Sequence, residues 1–205
     1  FVVYKLVVQA AGGISRVVPL RDFTHDLEAI AKAISARTRI VFLANPNNPT
    51  GTIYRKATWE TFLNQVRPDV LIIVDEAYFE YVEAADYPNS LDYHQQGKTL
   101  LTLRTFSELY GLAGLRIGYG IANEDIIGLM HRVRQPFNVN APAQWAALAA
   151  LNDSEHVRRS LDNNRQGLEY LTAEFARLGI EFIPSHANFI LLRVGKDEDV
   201  FKTFY

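Results

Sequence analysis

Cysteine is absent from the 205 residues. That removes disulfide staples, thiolate nucleophiles and Cys-ligated zinc together, and it agrees with a reducing cytosol. The fold therefore has to hold by packing alone. Long apolar runs are missing too, since none approaches the roughly 20 residues that a membrane-spanning helix requires. The first residues carry Lys5 and Gln9 and do not read as a secretory leader. The expected setting is the cytoplasm, with no membrane partner. Strong net charge is the third absence: 21 basic against 23 acidic side chains leave −2, too little to draw in nucleic acid or an anionic membrane. His25, His94, His131, His156 and His186 show no metal-ligand spacing. They are expected as surface or capping residues, and no metal is expected.

What is present is an ordinary globular mixture, 48% apolar and 21% charged, without internal repeats or low-complexity tracts. The length suits one large domain, or one and part of a second. The chain starts at Phe1 rather than Met and stops at Tyr205, inside a helix expected to begin at Asp197, so it reads as a fragment.

Residues 1–11 carry apolar side chains at helical spacing and end at Gly12-Gly13, a C-terminal glycine stop. Val17 and Val18 are expected to begin an extended piece. A helix over 26–36 then leads to the continuous apolar run Ile40-Val41-Phe42-Leu43, a strand buried on both faces. The alternation repeats as a helix over 56–66, the strand 70–74, an irregular stretch and the strand 99–103. It predicts an α/β fold, a mainly parallel sheet covered by helices on both faces. Another strand is expected over 116–122, then helices over 124–134, 141–152 and 154–178. In the last, Val157, Leu161, Leu168, Leu171, Phe175 and Leu178 are spaced 4, 7, 3, 4 and 3, an amphipathic stripe that Gly179 stops. Short strands follow over 180–183 and 188–194. The expected domains are 1–153 as the large body, 154–178 as a connecting helix, and 179–205 as the start of a smaller α+β domain.

Polar segments follow three of the strands at their C-terminal ends, where open α/β sheets place ligands. The first is Asn45-Pro46-Asn47-Asn48-Pro49-Thr50-Gly51, in which proline fixes the backbone and asparagine presents amide donors and acceptors. Read alone it is equally a rigid loop. The second is Asp75-Glu76-Ala77-Tyr78, an ionisable pair ending an apolar strand, either a cap or a partner for a buried cation. Tyr78 adds a phenolic donor nearby, with a core tyrosine as the ordinary alternative. The third runs from Arg104 through Thr105, Ser107, Glu108, Gly111 and Gly114 to Arg116. Its hydroxyls, glycines and bidentate arginine suit a phosphate cradle, or else a glycine-rich turn with an exposed arginine.

In this order the three segments resemble the fold-type I aminotransferases that use pyridoxal 5′-phosphate, nearest the histidinol-phosphate aminotransferase branch. Residues 185–193 resemble the start of that family's small domain. The resemblance implies the following roles: Asp75 against the protonated pyridine nitrogen, Asn48 and Tyr78 on the ring's phenolate oxygen, and Thr105, Ser107 and Arg116 on the phosphate. It also implies a small-molecule amino donor, most closely histidinol phosphate, a 2-oxo acid acceptor such as 2-oxoglutarate, and a homodimer.

One residue departs from the pattern. The family places a lysine directly after the serine, where it holds the cofactor as a Schiff base and shuttles the proton. Here that position is Glu108, which has no amine to condense with an aldehyde, and Lys56 and Lys98 lie elsewhere in the pattern. Two readings stay open: a substitution in an otherwise ordinary enzyme, favoured because the surrounding residues are intact, and a homologue that keeps the fold without turnover. Another aminotransferase or an amino-acid decarboxylase of the superfamily is the alternative for the parent activity.

Overall fold

The computed structural model describes residues 1–195. The helix expected from Asp197, and with it the end of the 179–205 segment, lies outside the described residues. Four strands form the main sheet: β1 (Ile40–Ala44), β2 (Leu71–Asp75), β3 (Leu100–Thr105) and β4 (Gly118–Ala122), in the order β1-β2-β3-β4. The β1–β2 and β2–β3 pairs are parallel and β3–β4 is antiparallel. A parallel return needs a crossover of a dozen or more residues, usually with a helix. The stretch 106–117 contains only the short 3-10 turn Ala113–Leu115, so the chain doubles back. Gly118 makes that return possible, because a Cβ there would lie 2.8 Å from the Arg104 carbonyl oxygen.

The helices are α1 (Val2–Ala10), α2 (Leu27–Ala33), α3 (Lys56–Gln65), α4 (Glu124–Val133), α5 (Ala141–Leu151) and α6 (Ser154–Leu178). Side chains cap four of them at the N-terminus: Asp26, Asn123, Asn140 and Asp153 each accept from a backbone N–H three residues on, satisfying one of the orphan donors there. Gly179, at φ 69, closes α6 in the left-handed conformation that glycine accepts without strain. Beyond it β5 (Glu181–Ile183) and β6 (Leu191–Arg193) form a small antiparallel pair.

The core lies where α2 and α3 cover β1–β3. Trp59 is fully buried, stacked between Tyr54 and Phe62 at 5.5 and 5.8 Å and met edge-on by Tyr93 at 6.0 Å. Leu43, Ile72, Val74 and Leu100 supply the aliphatic floor. Such aromatic pairs contribute about 0.5–1.5 kcal/mol each beyond their burial.

Val17 and Val18 lie in a segment with neither helix nor ladder: Val17 is 74% exposed, and the only β-pairing outside the named strands among the described residues is the Arg21–Thr24 bridge. The helix expected over the first residues forms as α1; Val3, Leu6 and Val7 of its stripe are exposed, and Tyr4 turns inward. One expectation needs correction: the histidines are not uniformly superficial. Nε2 of His25 accepts from the Ala44 amide at 3.3 Å, and Nε2 of His94 lies 2.9 Å from the Thr102 hydroxyl.

Candidate active site

The register of the parallel strands builds the site. Ala44 pairs with Asp75, and Asp75 pairs with Leu103. The ladder also runs one step past the strands, through Asn45 N–H to Asp75 O and Glu76 N–H to Leu103 O, both 2.9 Å. The three polar segments therefore leave the sheet side by side at its C-terminal edge.

Within the first segment the structure separates three asparagines that look alike in sequence. Asn45 and Asn47 are buried and hold the loop together. The Asn45 side-chain oxygen accepts from Tyr54 N–H at 3.0 Å and its carbonyl from the Tyr87 hydroxyl at 2.5 Å. The Asn47 amide donates to the Thr50 hydroxyl at 2.8 Å. Asn48 alone reaches across to the second segment, donating to the Tyr78 hydroxyl at 2.9 Å. Gly51 pins the loop to the chain's far end: its φ is +71, its carbonyl accepts from His186 N–H at 2.7 Å, and a Cβ would fall 2.1 Å from the Ser185 hydroxyl. Tyr78 in turn meets Phe189 edge-on at 5.0 Å.

Asp75 ends β2 with both oxygens engaged. Oδ1 accepts from Ala77 N–H at 3.2 Å and Oδ2 from the Tyr4 hydroxyl at 2.7 Å. The Tyr4 ring stacks on Phe42 at 5.1 Å. Burial first, and the Asp75 charge second, push the Tyr4 phenol far above its ordinary range, so it remains a neutral donor. Tyr4 was not a candidate from sequence, because it reads as one more residue of an apolar helix. Its separation from the α1 stripe was the available signal.

In the third segment Thr105 Oγ1 accepts from Ser107 N–H at 3.0 Å. Arg116 adopts a left-handed conformation, φ 54, and its exposed guanidinium donates to the Ala113 carbonyl at 2.6 Å. Glu108 lies among these groups. Burial raises its carboxyl above the ordinary value, the Asp75 charge adds to the rise, and the Glu108 amide, Arg116 and the Thr105 hydroxyl oppose it. Its Oε2 is buried with no hydrogen-bond partner among the described residues. Tyr78 and Tyr81 register the same carboxylate. Burial raises both phenols, Tyr81 to about 12, and the Glu108 charge adds to each.

Beneath the site sits a buried ion pair that sequence reading did not assign. Glu76 is fully buried; Oε1 accepts from Ser90 N–H at 2.9 Å and Oε2 from Arg104 Nε and Nη2 at 3.0 and 2.8 Å. Arg104 also donates to Asn89 and lies 3.7 Å over the Phe79 ring. Side chains alternate along an extended chain, so Glu76 and Arg104 face away from their respective neighbours Asp75 and Thr105. That alternation was the signal a sequence reader could have used. A cleft of about 370 Å³ near Phe23, Phe182 and Arg193 lies apart from all of these groups and carries none of their chemistry.

A mainly parallel sheet with polar loops at its C-terminal edge, an acid on one strand end, a hydroxyl–arginine turn after the next strand and an asparagine–tyrosine pair joining the first two loops define the class. Residues 1–204 match the aminotransferase class I and II family, and the chain belongs to it. The histidinol-phosphate aminotransferase of Moorella thermoacetica is 51% identical over 201 residues, covering 97% of this chain and 52% of that protein. Histidinol-phosphate aminotransferase 1 of Cupriavidus pinatubonensis is 50% identical over 199 residues, covering 97% of this chain and 53% of that protein. The chain thus spans about half the length of the curated relatives it matches. Among solved structures, the Sinorhizobium meliloti histidinol-phosphate aminotransferase in complex with pyridoxal-5′-phosphate superposes with a TM-score of 0.90 at 28% identity, over 98% of this chain and 55% of that one.

Proposed function

We propose that the protein carrying this chain is a pyridoxal-phosphate aminotransferase by descent, acting on histidinol phosphate and 2-oxoglutarate, and that Glu108 leaves the chain as written without turnover. The observation that carries the reading is the convergence of Asp75, the Asn48–Tyr78 pair and the Thr105–Ser107–Arg116 turn at one sheet edge, in a chain half identical to proteins named for that activity. A cytoplasmic homodimer, with its large domain over 1–153 and its small domain beginning after α6, belongs to the same proposal.

These residues fit the ring and phosphate of the cofactor and do not fit its covalent attachment. Asp75, fixed by Tyr4 and the Ala77 amide, would hold a protonated pyridine nitrogen. Asn48 and Tyr78, already bonded to each other, would orient the ring through its phenolate oxygen. Thr105, Ser107 and Arg116 would take the phosphate, with the guanidinium supplying full charge. When bound, pyridoxal phosphate supplies an electron sink for a proton leaving the substrate's α-carbon. Glu108 does not supply the amine that links the cofactor.

Borohydride reduction after adding pyridoxal phosphate to the full-length protein tests the reading. No pyridoxyl adduct is expected with Glu108, whereas Glu108→Lys should acquire one at residue 108 and transfer the amino group of histidinol phosphate to 2-oxoglutarate. An adduct on Lys56 or Lys98 of the unaltered chain would overturn the claim that Glu108 blocks attachment. A Glu108→Lys protein that links the cofactor yet leaves histidinol phosphate untouched would overturn the substrate.

A further inference from the structure

We propose that Glu108 turns this site into a receptor for a phosphorylated pyridine bearing a primary amine, pyridoxamine 5′-phosphate being the probe, in preference to the corresponding aldehyde. This rests on the proposed reading of the pocket as a phosphopyridine site, and it goes beyond that reading by assigning the acid at 108 a ligand of its own.

The starting point is an orphan. Oε2 of Glu108 is buried and has no hydrogen-bond partner among the described residues. Leaving a buried acceptor unmade is unfavourable, more so for a charged one. Its own amide, Arg116 and the Thr105 hydroxyl support the carboxyl in part but leave Oε2 without a bond. From β2 and the turn after it come the acids Asp75 and Glu80 and the neutral phenols Tyr78 and Tyr81; burial raises Tyr78, Glu80 and Tyr81, and the Glu108 charge adds to the rise. The nearby cation, Arg116, is exposed and donates to Ala113. Acidic charge therefore gathers around Glu108, and its complement is a cationic donor.

A primary ammonium is such a donor. It brings three N–H groups and no acceptor, so it can pair with the half-buried Glu108 carboxylate while holding it ionised against the burial that raises it. An aldehyde brings only a carbonyl oxygen, which meets the same carboxylate acceptor to acceptor. Because the two ligands share ring, phosphate and phenolate, the contacts of Asp75, Asn48, Tyr78, Thr105, Ser107 and Arg116 cancel in the comparison, and the difference reports residue 108. Charge-assisted hydrogen bonds in a partly buried setting correspond to roughly a 10-fold to 100-fold preference.

Three ligands titrated into the full-length protein, followed by calorimetry, test this: pyridoxamine 5′-phosphate, pyridoxal 5′-phosphate, and 4′-deoxypyridoxine 5′-phosphate, whose methyl group replaces both functions. The expected order of affinity is amine, then deoxy, then aldehyde, with the amine at least about 10-fold tighter than the deoxy ligand. In Glu108→Gln the ratio of amine to deoxy affinity should fall to about one, and saturable binding of the deoxy ligand shows that the variant is folded. Equal binding of amine and deoxy ligands, or a preference that survives Glu108→Gln, overturns the assignment of Glu108 alone. Binding of none of the three by the unaltered protein overturns the phosphopyridine reading of the pocket, and this inference with it.

Discussion

Removing the guanidinium beneath the site should unfold the chain more readily than any surface change. In Arg104→Met the aliphatic stem survives, but Glu76 Oε2 loses both of its side-chain donors, at 3.0 and 2.8 Å, and its only charge partner among the described residues. The side chains are 10% and 0% exposed, so water cannot step in. Breaking a buried pair by deleting one partner costs about 3–5 kcal/mol, a large fraction of the roughly 5–15 kcal/mol that holds a domain together. With a urea m-value of about 2 kcal/mol/M, the unfolding midpoint should fall by roughly 2 M. The control is the double variant Glu76→Met/Arg104→Met, which removes both charges and should recover most of the loss, because the penalty belongs to the stranded carboxylate. Arg104→Lys should fall between, keeping charge but losing the fork and the stacking over Phe79. A loss below about 1 kcal/mol in Arg104→Met, the size of an exposed pair, would refute the reasoning. So would a double variant as unstable as the single one.

Tyr4→Phe removes one donor from Asp75 Oδ2. Phosphopyridine binding should weaken by about 10-fold in calorimetric titration, the size of one hydrogen bond to a charged group, and unchanged affinity would detach Tyr4 from the site. His25 makes the fold acid-sensitive. Burial pushes its imidazole down to about 4, so the unfolded chain binds the extra proton as pH falls below about 6.5. Stability should therefore decline from there towards about pH 4, by about 3 kcal/mol in all. His25→Gln should flatten that slope in urea titrations run across the range, and an unaltered slope would acquit His25. Gly51→Ala should destabilise by more than about 1 kcal/mol, since it meets both a positive φ and the Ser185 side chain. Adding Ser185→Gly should restore only the steric part, and full recovery would mean that the backbone conformation costs nothing.

The architecture was legible wherever a local pattern and its tertiary use coincide. The α6 stripe and its glycine stop give Ser154–Leu178 to the residue, because capping and periodicity are both local. The parallel strands are legible from their apolar runs, although β1 is not buried throughout as its run predicts: Ile40 is exposed and Phe42 half-buried. Helical spacing also foretells α1 at Val2–Ala10, yet its stripe is exposed: apolar spacing says what a segment can bury, and only its neighbours say whether it does. The site divides similarly. Motif order points to Asn48, Asp75, Tyr78, Thr105, Ser107 and Arg116, but composition could not distinguish Asn48, which reaches Tyr78, from Asn45 and Asn47, which brace the loop. Tyr4 and the Glu76–Arg104 pair stayed hidden because each joins residues at least 28 apart in sequence.

Glu108 was visible from the start, and the structure explains how the fold carries it. The turn that presents it is held by main-chain bonds: Gly111 N–H to Glu108 O at 3.1 Å, Leu112 N–H to Phe106 O at 2.9 Å, and Phe106 N–H to Ile117 O at 3.2 Å. Ser107 N–H adds its bond to Thr105 Oγ1. None of these uses the side chain at 108, so the backbone that frames the phosphate turn persists whatever that side chain is. The penalty of the acid falls instead on one buried oxygen without a partner among the described residues. Position 108 is therefore one where a side chain can change the sign of its charge while the surrounding main-chain bonds are retained. On the proposed reading, such a site would keep its capacity to recognise a phosphorylated ring without the means to attach one, and recognition and turnover would separate at a single residue.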